Sequence, residues 1–508
     1  MLPERPNIIL IMTDQQRADT LAAWGHDHMI TPNMDRLARE GVAFRQAYCP
    51  GATCITSRAA MFTGMYPHTT GVYTFQQWAN HRSWVQDLAD AGYRCINMGK
   101  MHHDPIEAPG GFMERVVVEN PTNKIHANGG SDDDWGRYLR WHGQQRPNDR
   151  HRTDPDWVAK GQGVPWHLDE RYHSDVFIGT AAESWIRDDQ GQAPLFLQIG
   201  LTGPHEPWDP LPRHLEQYAG RTLPKPILRA GELAEKPPQH QAHLDFHANT
   251  DHESRIDVRQ LDAAGIDWMR RNYYANITTV DEQVGRILAA LEAKGYLENS
   301  LIIFCSDHGE LLGDHGLSYK WLMYDPIVHV PLIMWHPGTV NQPGSVSDLV
   351  SLIDIGPTIL ELAGIQQPTY LEGRSLLGYL PGMESAAAHP PRTYVYAEDN
   401  YQIMQRSATH KLVYYIGQTE GKTGGQPVGE LYDLAADPHE LENLWDRAAA
   451  APQKQALLQD LLAWLATSTY YNSGYKTTRA RQYNMRWPST DNAYLHGATA
   501  VPKAVDHL

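Results

Sequence analysis

Ile8-Ile9-Leu10-Ile11-Met12, entered from Asn7, is an apolar run of strand length with no polar residue at alternate positions, and it stops at Thr13-Asp14-Gln15. A strand with one wet face would alternate, so this one is expected to be buried on both faces, as in a parallel sheet covered by helices. The pattern returns three times. Tyr93 to Met98 runs into Gly99-Lys100-Met101-His102-His103, Ala193 to Gly200 into Thr202-Gly203-Pro204-His205-Glu206-Pro207, and Leu301 to Ser306 into Asp307-His308-Gly309. Open α/β sheets bind ligands outside the carboxyl ends of their strands. The four runs are therefore expected to deliver Asp14 and Gln15, Lys100 and His102, His205, and Asp307 and His308 to one edge of a single mixed sheet.

The segments between these runs read as helices. Thr31 to Gly41 has a Thr cap, Pro in its first turn, a closing Gly, and Met34, Leu37 and Ala38 facing inward. A second helix is expected from Ser57 to Thr63, closed by Gly64, with its free N–H groups and positive dipole end facing an anion beside Cys54. On spacing alone, a small buried side chain opening a helix is the better reading of Cys54. Ser83 to Ala91 reads as helical. A long helix carrying Ile277, Val280, Val284, Ile287, Leu288 and Leu291 ends at Gly295, and a capped helix spans Asp354 to Gly364.

The 508 residues carry 43 Lys and Arg against 60 Asp and Glu, a formal net charge of −17. This balance argues against nucleic acid and anionic membranes as partners, so an anionic substrate needs a local cationic pocket. No apolar run approaches the ~18 residues of a membrane span. The first residues lack the basic and apolar regions of a signal peptide, and a cytoplasmic protein is expected. Cys49, Cys54, Cys95 and Cys305 include no C-x-x-C pair, so they form neither a disulfide framework nor a zinc site.

The expected organisation is a large α/β domain over 1–385 with insertions at 105–190 and 209–260, a small α+β subdomain over 390–469, and a surface arm over 470–508. In the subdomain, Lys411–Ile416 and Glu430–Leu434 are read as antiparallel strands around a Gly-rich turn. A helix carrying Leu457, Leu458, Leu461, Leu462 and Leu465 follows them.

Several motifs now stand in order along the chain: Cys54-x-x-Ser57-Arg58 with Met61-Phe62-Thr63-Gly64 after it, Gly99-Lys100-x-His102, Pro204-His205-x-Pro207, and Ser306-Asp307-His308-Gly309-Glu310-x-x-Gly313-Asp314-His315-Gly316 with Lys320 beyond. Leu431-Tyr432-Asp433-Leu434-x-x-Asp437-Pro438-x-Glu440-x-x-Asn443-Leu444 completes the set. Over nearly the whole chain they resemble the type I sulfatases of the alkaline phosphatase superfamily. The resemblance implies an alkaline-phosphatase-like α/β fold and an enzyme that cleaves a small anionic sulfate monoester. It also implies a separate maturation enzyme that oxidises Cys54 to formylglycine, whose hydrated gem-diol is the nucleophile. One divalent cation, calcium or manganese, would be held by Asp14, Gln15, Asp307, His308 and the diol made from Cys54. Arg58 would fix the diol, and Lys100 and Lys320 would clamp the sulfuryl oxygens. His205 or Lys320 would protonate the leaving alcohol, and His102 would help expel sulfate. His103, Asp314 and His315 are read as loop or supporting groups.

The chain departs from the commonest form of this pattern. Gln15 and His308 stand where many members carry Asp and Asn, as in the choline-sulfatase and phosphonate monoester hydrolase branch, and an imidazole makes manganese a rival to calcium. Lys100 and His102 point back to the sulfatases. Phe75, beside Thr74, stands where this branch has a polar Asn. Thr56 stands where the maturation signal has Pro or Ala, so slower conversion of Cys54 is expected. Two other readings are kept open: a phosphonate monoester or phosphodiester hydrolase with the same nucleophile, and an unmodified protein that binds an anion or metal without turnover. The sequence does not set the oligomeric state, and a homo-oligomer stays open.

Overall fold

The computed structural model describes residues 5–471 apart from 75–77, 79–80, 104–105, 120–132, 148–156, 158, 192, 252–254, 341, 384, 386–388 and 417–427. Its strands are β1 (Asn7–Thr13), β2 (Val42–Phe44), β3 (Ala47–Tyr48), β4 (Arg94–Gly99), β5 (Glu114–Val117), β6 (Leu195–Gly200) and β7 (Ser300–Ser306). They continue with β8 (Leu332–Trp335), β9 (Gly344–Val346), β10 (Val350–Ser351), β11 (Val395–Asp399), β12 (Gln402–Arg406), β13 (His410–Tyr415) and β14 (Gly429–Asp433).

One eight-stranded sheet has the order β5-β4-β6-β1-β7-β8-β2-β9. β5, β4, β6, β1 and β7 run parallel, and β8 lies antiparallel to both β7 and β2. Met12 pairs with Gly200 on one side and Cys305 on the other, and Gly200 pairs with Gly99. The carboxyl ends of β4, β6, β1 and β7 therefore finish level, as the apolar runs predicted. Ile8 to Met12 are fully buried, as every residue of β7 is, and each large apolar side chain so buried contributes about 1.5–3 kcal/mol. The Ser174–Asp188 and Ala263–Ala293 helices pack together as one layer, and the Cys54–Thr63, Trp84–Asp90 and Ile355–Leu362 helices pack together as another.

β11-β12-β13-β14 form a separate antiparallel sheet, covered on one face by the Ala451–Tyr471 helix. There Trp464 stacks on Tyr396 at 3.9 Å, and Leu457 and Leu461 are buried, while Leu462 points to solvent. Val395, Ala397, Met404 and Val413 on the other face join the main core. Among the described residues, no helix is long and apolar enough to cross a membrane.

Four expectations change. The helix read from Ser57 starts at Cys54, and Thr53 caps it without a side-chain bond, because its hydroxyl is given to Asp399 at 2.8 Å. Residues 209–260 hold a helix, Pro238–Asn249, whose buried positions include His240, His243 and His247 and so carry little apolar periodicity. Residues 105–190 supply an edge strand, β5, and the Ser174–Asp188 helix, rather than loops alone. The C-terminal sheet has four strands instead of two, since β11 and β12 bury Glu398, Asp399, Gln402 and Gln405, which read as loop residues. Phe75, the Gly-rich turn and residues 472–508 of the expected arm lie outside the described residues.

Candidate active site

Beyond the level strand ends the chain turns sharply. Gln15 follows β1 in the left-handed region at φ 68°, and its N–H donates to Asp307 Oδ1 at 3.1 Å. The His308 N–H donates to the same oxygen at 2.9 Å, and Ser57 Oγ donates to the Asp307 carbonyl at 2.6 Å. The ends of β1 and β7 and the first turn of the Cys54–Thr63 helix are thereby tied at one point. Arg58, fully buried, closes the knot: Nε donates to Asp307 Oδ2 at 2.7 Å, Nη2 to Asp14 Oδ2 at 3.2 Å and Nη1 to the Lys100 carbonyl at 2.8 Å. Lys100 Nζ pairs with Asp14 Oδ2. Burial opposes the charge on Asp14, but Lys100, His205, Arg58 and Lys320 hold its carboxyl well below the usual range. Burial and Asp14 oppose the charge on Asp307, and Arg58 and His308 hold it low.

Asp14, Asp307 and His308 bring three ligand atoms within 4.8 Å of one another. His308 Nδ1 donates to the Gly309 carbonyl at 2.9 Å, which leaves Nε2 with a bare lone pair 3.8 Å from Asp14 Oδ1 and 3.8 Å from Asp307 Oδ1. Neither His308 Nε2 nor Asp14 Oδ1 has a hydrogen-bond partner. Lone pairs converging in a buried place are an arrangement that a divalent cation resolves, and this donor set fits one.

Gln15 and Cys54 lie beside this cluster, and Lys320 reaches both. The Gln15 amide oxygen accepts from Lys320 Nζ at 2.8 Å, while its Nε2 donates to Glu206 Oε2 at 2.8 Å and Glu310 Oε2 at 2.5 Å. Cys54 Sγ lies 4.0 Å from Lys320 Nζ, outside the three-residue cluster. Arg58 is spent on the two carboxylates. Lys320 Nζ also meets His205 Nε2 at 2.8 Å, and His205 Nδ1 donates to the Glu206 carbonyl at 2.8 Å. Burial, with Lys320 and Lys100 nearby, pushes the His205 ring down to about 4, so it is neutral and accepts at Nε2. Burial and Lys100 push the His102 ring to about 4 as well, and its backbone, at φ 60°, is held by Glu119 and Trp78. Asp314 and His315 support the loop through Arg17, Arg270 and Glu232.

Residues 6–365 match the family model described as sulfatase, and residues 313–467 match that of the N-sulphoglucosamine sulphohydrolase C-terminal region. The chain belongs to the sulfatase family. It is a type I sulfatase of the alkaline phosphatase superfamily, an enzyme that hydrolyses sulfate esters. An arylsulfatase of Clostridium perfringens (strain 13 / Type A) is 29% identical over 87% of this chain and 90% of its own. The choline-sulfatase of Rhizobium meliloti (strain 1021) is 27% identical, with 97% and 93% covered. In fold, the sulfatase resembles the phosphonate monoester hydrolase of Agrobacterium radiobacter with a TM-score of 0.75, at 24% identity and with 91% and 96% of the two chains covered.

Glu206, Glu310 and Asp399 were not singled out from the sequence. The first two stand inside the motifs quoted above, and their role emerges only when the fold brings both to the Gln15 amide. Burial and Glu206 raise the Glu310 carboxyl to about 7. Asp399 carries no sequence signal.

The close approach of Lys100 depends on two glycines. Gly99 sits at φ +99°, and a Cβ there would meet the Gly200 carbonyl oxygen at 2.1 Å; one on Gly200 would meet the Lys100 carbonyl oxygen at 2.1 Å. Gly99→Ala in the sulfatase is expected to cost about 2–4 kcal/mol, from overpacking and the left-handed backbone together. Denaturant unfolding of the variant measures it.

Proposed function

We propose that this sulfatase cleaves a sulfate monoester with an oxygen nucleophile made from Cys54, a divalent cation at Asp14, Asp307 and His308, and Lys320 on the leaving-group side. The observation that carries this reading is the meeting of three lone-pair donors with Arg58, Lys100 and Lys320 at level strand ends beside Cys54. Hydrated formylglycine at position 54, formed by a separate maturation enzyme, supplies the nucleophilic oxygen. The cation, calcium or manganese, supplies Lewis-acid activation of that oxygen and charge neutralisation at the sulfuryl group.

The chain's own residues do the rest. Arg58 holds both carboxylates in place, so they keep their charge and geometry. Lys100, paired with Asp14, and Lys320 present cationic N–H groups to the sulfuryl oxygens, where charge develops. Of the three N–H groups on Lys320 Nζ, one is taken by Gln15 Oε1 and one by His205 Nε2. The third faces residue 54 and is positioned to pass its proton to the departing alkoxide. His205, neutral and hydrogen-bonded to the Glu206 carbonyl, orients the ammonium rather than serving as the acid itself. His102, also neutral, is the base that takes up a proton when sulfate is expelled.

A phosphonate monoester is the second reading, favoured by the Gln15 and His308 pair. Steady-state comparison of an aryl sulfate with an aryl phosphonate separates the two. The sulfate is expected to have the higher kcat/KM by at least tenfold, about 1.4 kcal/mol of transition-state preference. A tenfold preference for the phosphonate would reverse the assignment.

A further inference from the structure

One buried carboxyl group reaches Lys320 at both of its ends. Glu310, fully buried, stands in the loop that follows β7. Its Oε1 accepts from the Tyr319 N–H at 2.6 Å and the Leu312 N–H at 2.9 Å, and its Oε2 accepts from Gln15 Nε2 at 2.5 Å. All three partners are N–H groups, so both oxygens serve as acceptors. Tyr319 is the residue before Lys320, and the Gln15 amide is the one whose oxygen accepts from Lys320 Nζ at 2.8 Å. Glu310 thus holds the lysine's root through the backbone and its tip through an amide.

The loop that carries Lys320 needs such a hold. Leu312, His315, Tyr319 and Trp321 all lie in the left-handed region, at φ 53°, 58°, 65° and 77°. Bulky side chains rarely adopt it, and it persists only where the surroundings fix it. At Tyr319 both backbone groups are fixed, the N–H by Glu310 and the carbonyl by the Leu311 N–H at 3.1 Å. On the other side of Lys320, the Trp321 N–H donates to the Ala52 carbonyl at 3.0 Å, two residues before Cys54. At the tip, the Gln15 NH₂ gives one hydrogen to Glu310 and one to Glu206 Oε2 at 2.8 Å. A flipped amide would lose both bonds and turn its NH₂ on the Lys320 ammonium, donor against donor.

We propose that Glu310 is a positioning residue for the departure of the alcohol, setting the place of Lys320 Nζ beside residue 54 through Tyr319 and through Gln15. The proposal rests on the reading of Lys320 as the acid given above. In that step the bond from sulfur to the alcohol oxygen breaks, its electron pair goes to the oxygen, and Nζ gives that oxygen a proton and is left a neutral amine. Glu310 exchanges no proton.

The test uses full-length protein whose Cys54 conversion is verified by mass, with manganese present and 4-nitrophenyl sulfate and phenyl sulfate as the two esters. 4-Nitrophenolate leaves with little help, whereas the oxygen of phenyl sulfate becomes a phenol of pKa about 10, like that of tyrosine, and depends more on a placed proton. Glu310→Gln keeps the size of the side chain but cannot keep both arms. With its oxygen toward Tyr319 and Leu312, its NH₂ meets the Gln15 NH₂; turned over, it meets two backbone N–H groups. The variant is expected to lose at least ~10-fold more kcat/KM on phenyl sulfate than on 4-nitrophenyl sulfate, a share of the roughly 10²–10⁴-fold that a placed acid supplies. The manganese concentration for half the shift in unfolding temperature is expected to stay as in the wild type. If Glu310→Gln does not fold, Glu310→Asp, which keeps the charge but falls one methylene short of its partners, carries the same expectation. An equal loss on both esters would make Glu310 a structural support and overturn the proposal. A raised manganese requirement with an unchanged ratio between the esters would assign it to the cation and overturn the proposal too. Lys320→Met separates these failures from that of the reading beneath them: a loss equal on both esters would remove Lys320 as the acid, whereas a steep loss there with an equal one in Glu310→Gln would remove Glu310 alone.

Discussion

Cys54→Ala is expected to lower kcat/KM for a sulfate ester by at least ~10³-fold, as when a covalent nucleophile is removed, with the unfolding transition kept. The four cysteines differ in a way that marks this one. Burial pushes the thiols of Cys49 and Cys305 far up and that of Cys95 to about 12. At Cys54 burial also opposes charge, but Lys320 and Lys100 overcome it and draw the group below its ordinary value. Position 54 is built to hold negative charge next to cations, which suits an ionised oxygen nucleophile. A thiol is a poor match for a hard cation, whereas a diol oxygen resembles the carboxylates in kind. Conversion lowers the mass of the peptide across 46–58 by roughly 18 Da, as a thiol becomes an aldehyde. Thr53 through Thr63 are all buried, so a maturation enzyme acting on Cys54 would have to read this segment before the chain folds. Thr56 accordingly matters as a residue of an extended chain, where its β-branch tolerates the required backbone without the fixed angle of Pro. Turnover by fully unconverted protein, unchanged in Cys54→Ala, would refute both the modification and the mechanism.

The parts of this molecule that could be read from its sequence are those where one local rule decides the outcome. β1, β4, β6 and β7 had to be buried on both faces because their apolar runs leave no wet side, and the polar residues that end them then had to share an edge. The helix Pro238–Asn249 was hidden because its buried face is built from histidines: His243 donates to the Ser318 carbonyl, and His247 stacks on Trp321. Tertiary partners, not apolar periodicity, make that face an interior one. β11 and β12 were hidden for the same reason, since Asp399, Gln402 and Glu398 are held by Thr53, Trp321 and His68 from distant segments. Within the site, residue identity was legible, but partnership was not. Arg58, expected on the nucleophile, is near enough to Cys54 to feel its charge and also ties two carboxylates, and the Gln15 oxygen, expected on a cation, accepts from Lys320. Both outcomes depend on distances set by sheet register and by Glu206 and Glu310, which no spacing in the sequence encodes.

Removal of divalent cations by a chelator is expected to lower both activity, by at least ~100-fold, and the unfolding temperature, with manganese or calcium restoring them. The stability effect follows from the cluster itself. Without a cation, Asp14 and Asp307 repel, and His308 Nε2, whose ring donates through Nδ1 to the Gly309 carbonyl, has no hydrogen-bond partner between them. A bound cation removes the repulsion and binds only the folded chain, so it stabilises by about 4 kcal/mol at a thousandfold excess over its dissociation constant. His308→Ala removes one donor without stranding a charge, so the apo protein should fold as before while the concentration of manganese needed for half the temperature shift rises at least ~10-fold, the smallest loss seen when even an outer partner of a metal ligand is cut. Asp307→Ala differs in kind, since it leaves Arg58 buried without its main partner at 2.7 Å and is expected to cost about 3–5 kcal/mol whether or not a cation is present. The two variants together separate ligand loss from a broken ion pair. If chelation leaves activity and unfolding temperature untouched, the converging lone pairs of Asp14, Asp307 and His308 must be met by something other than a cation.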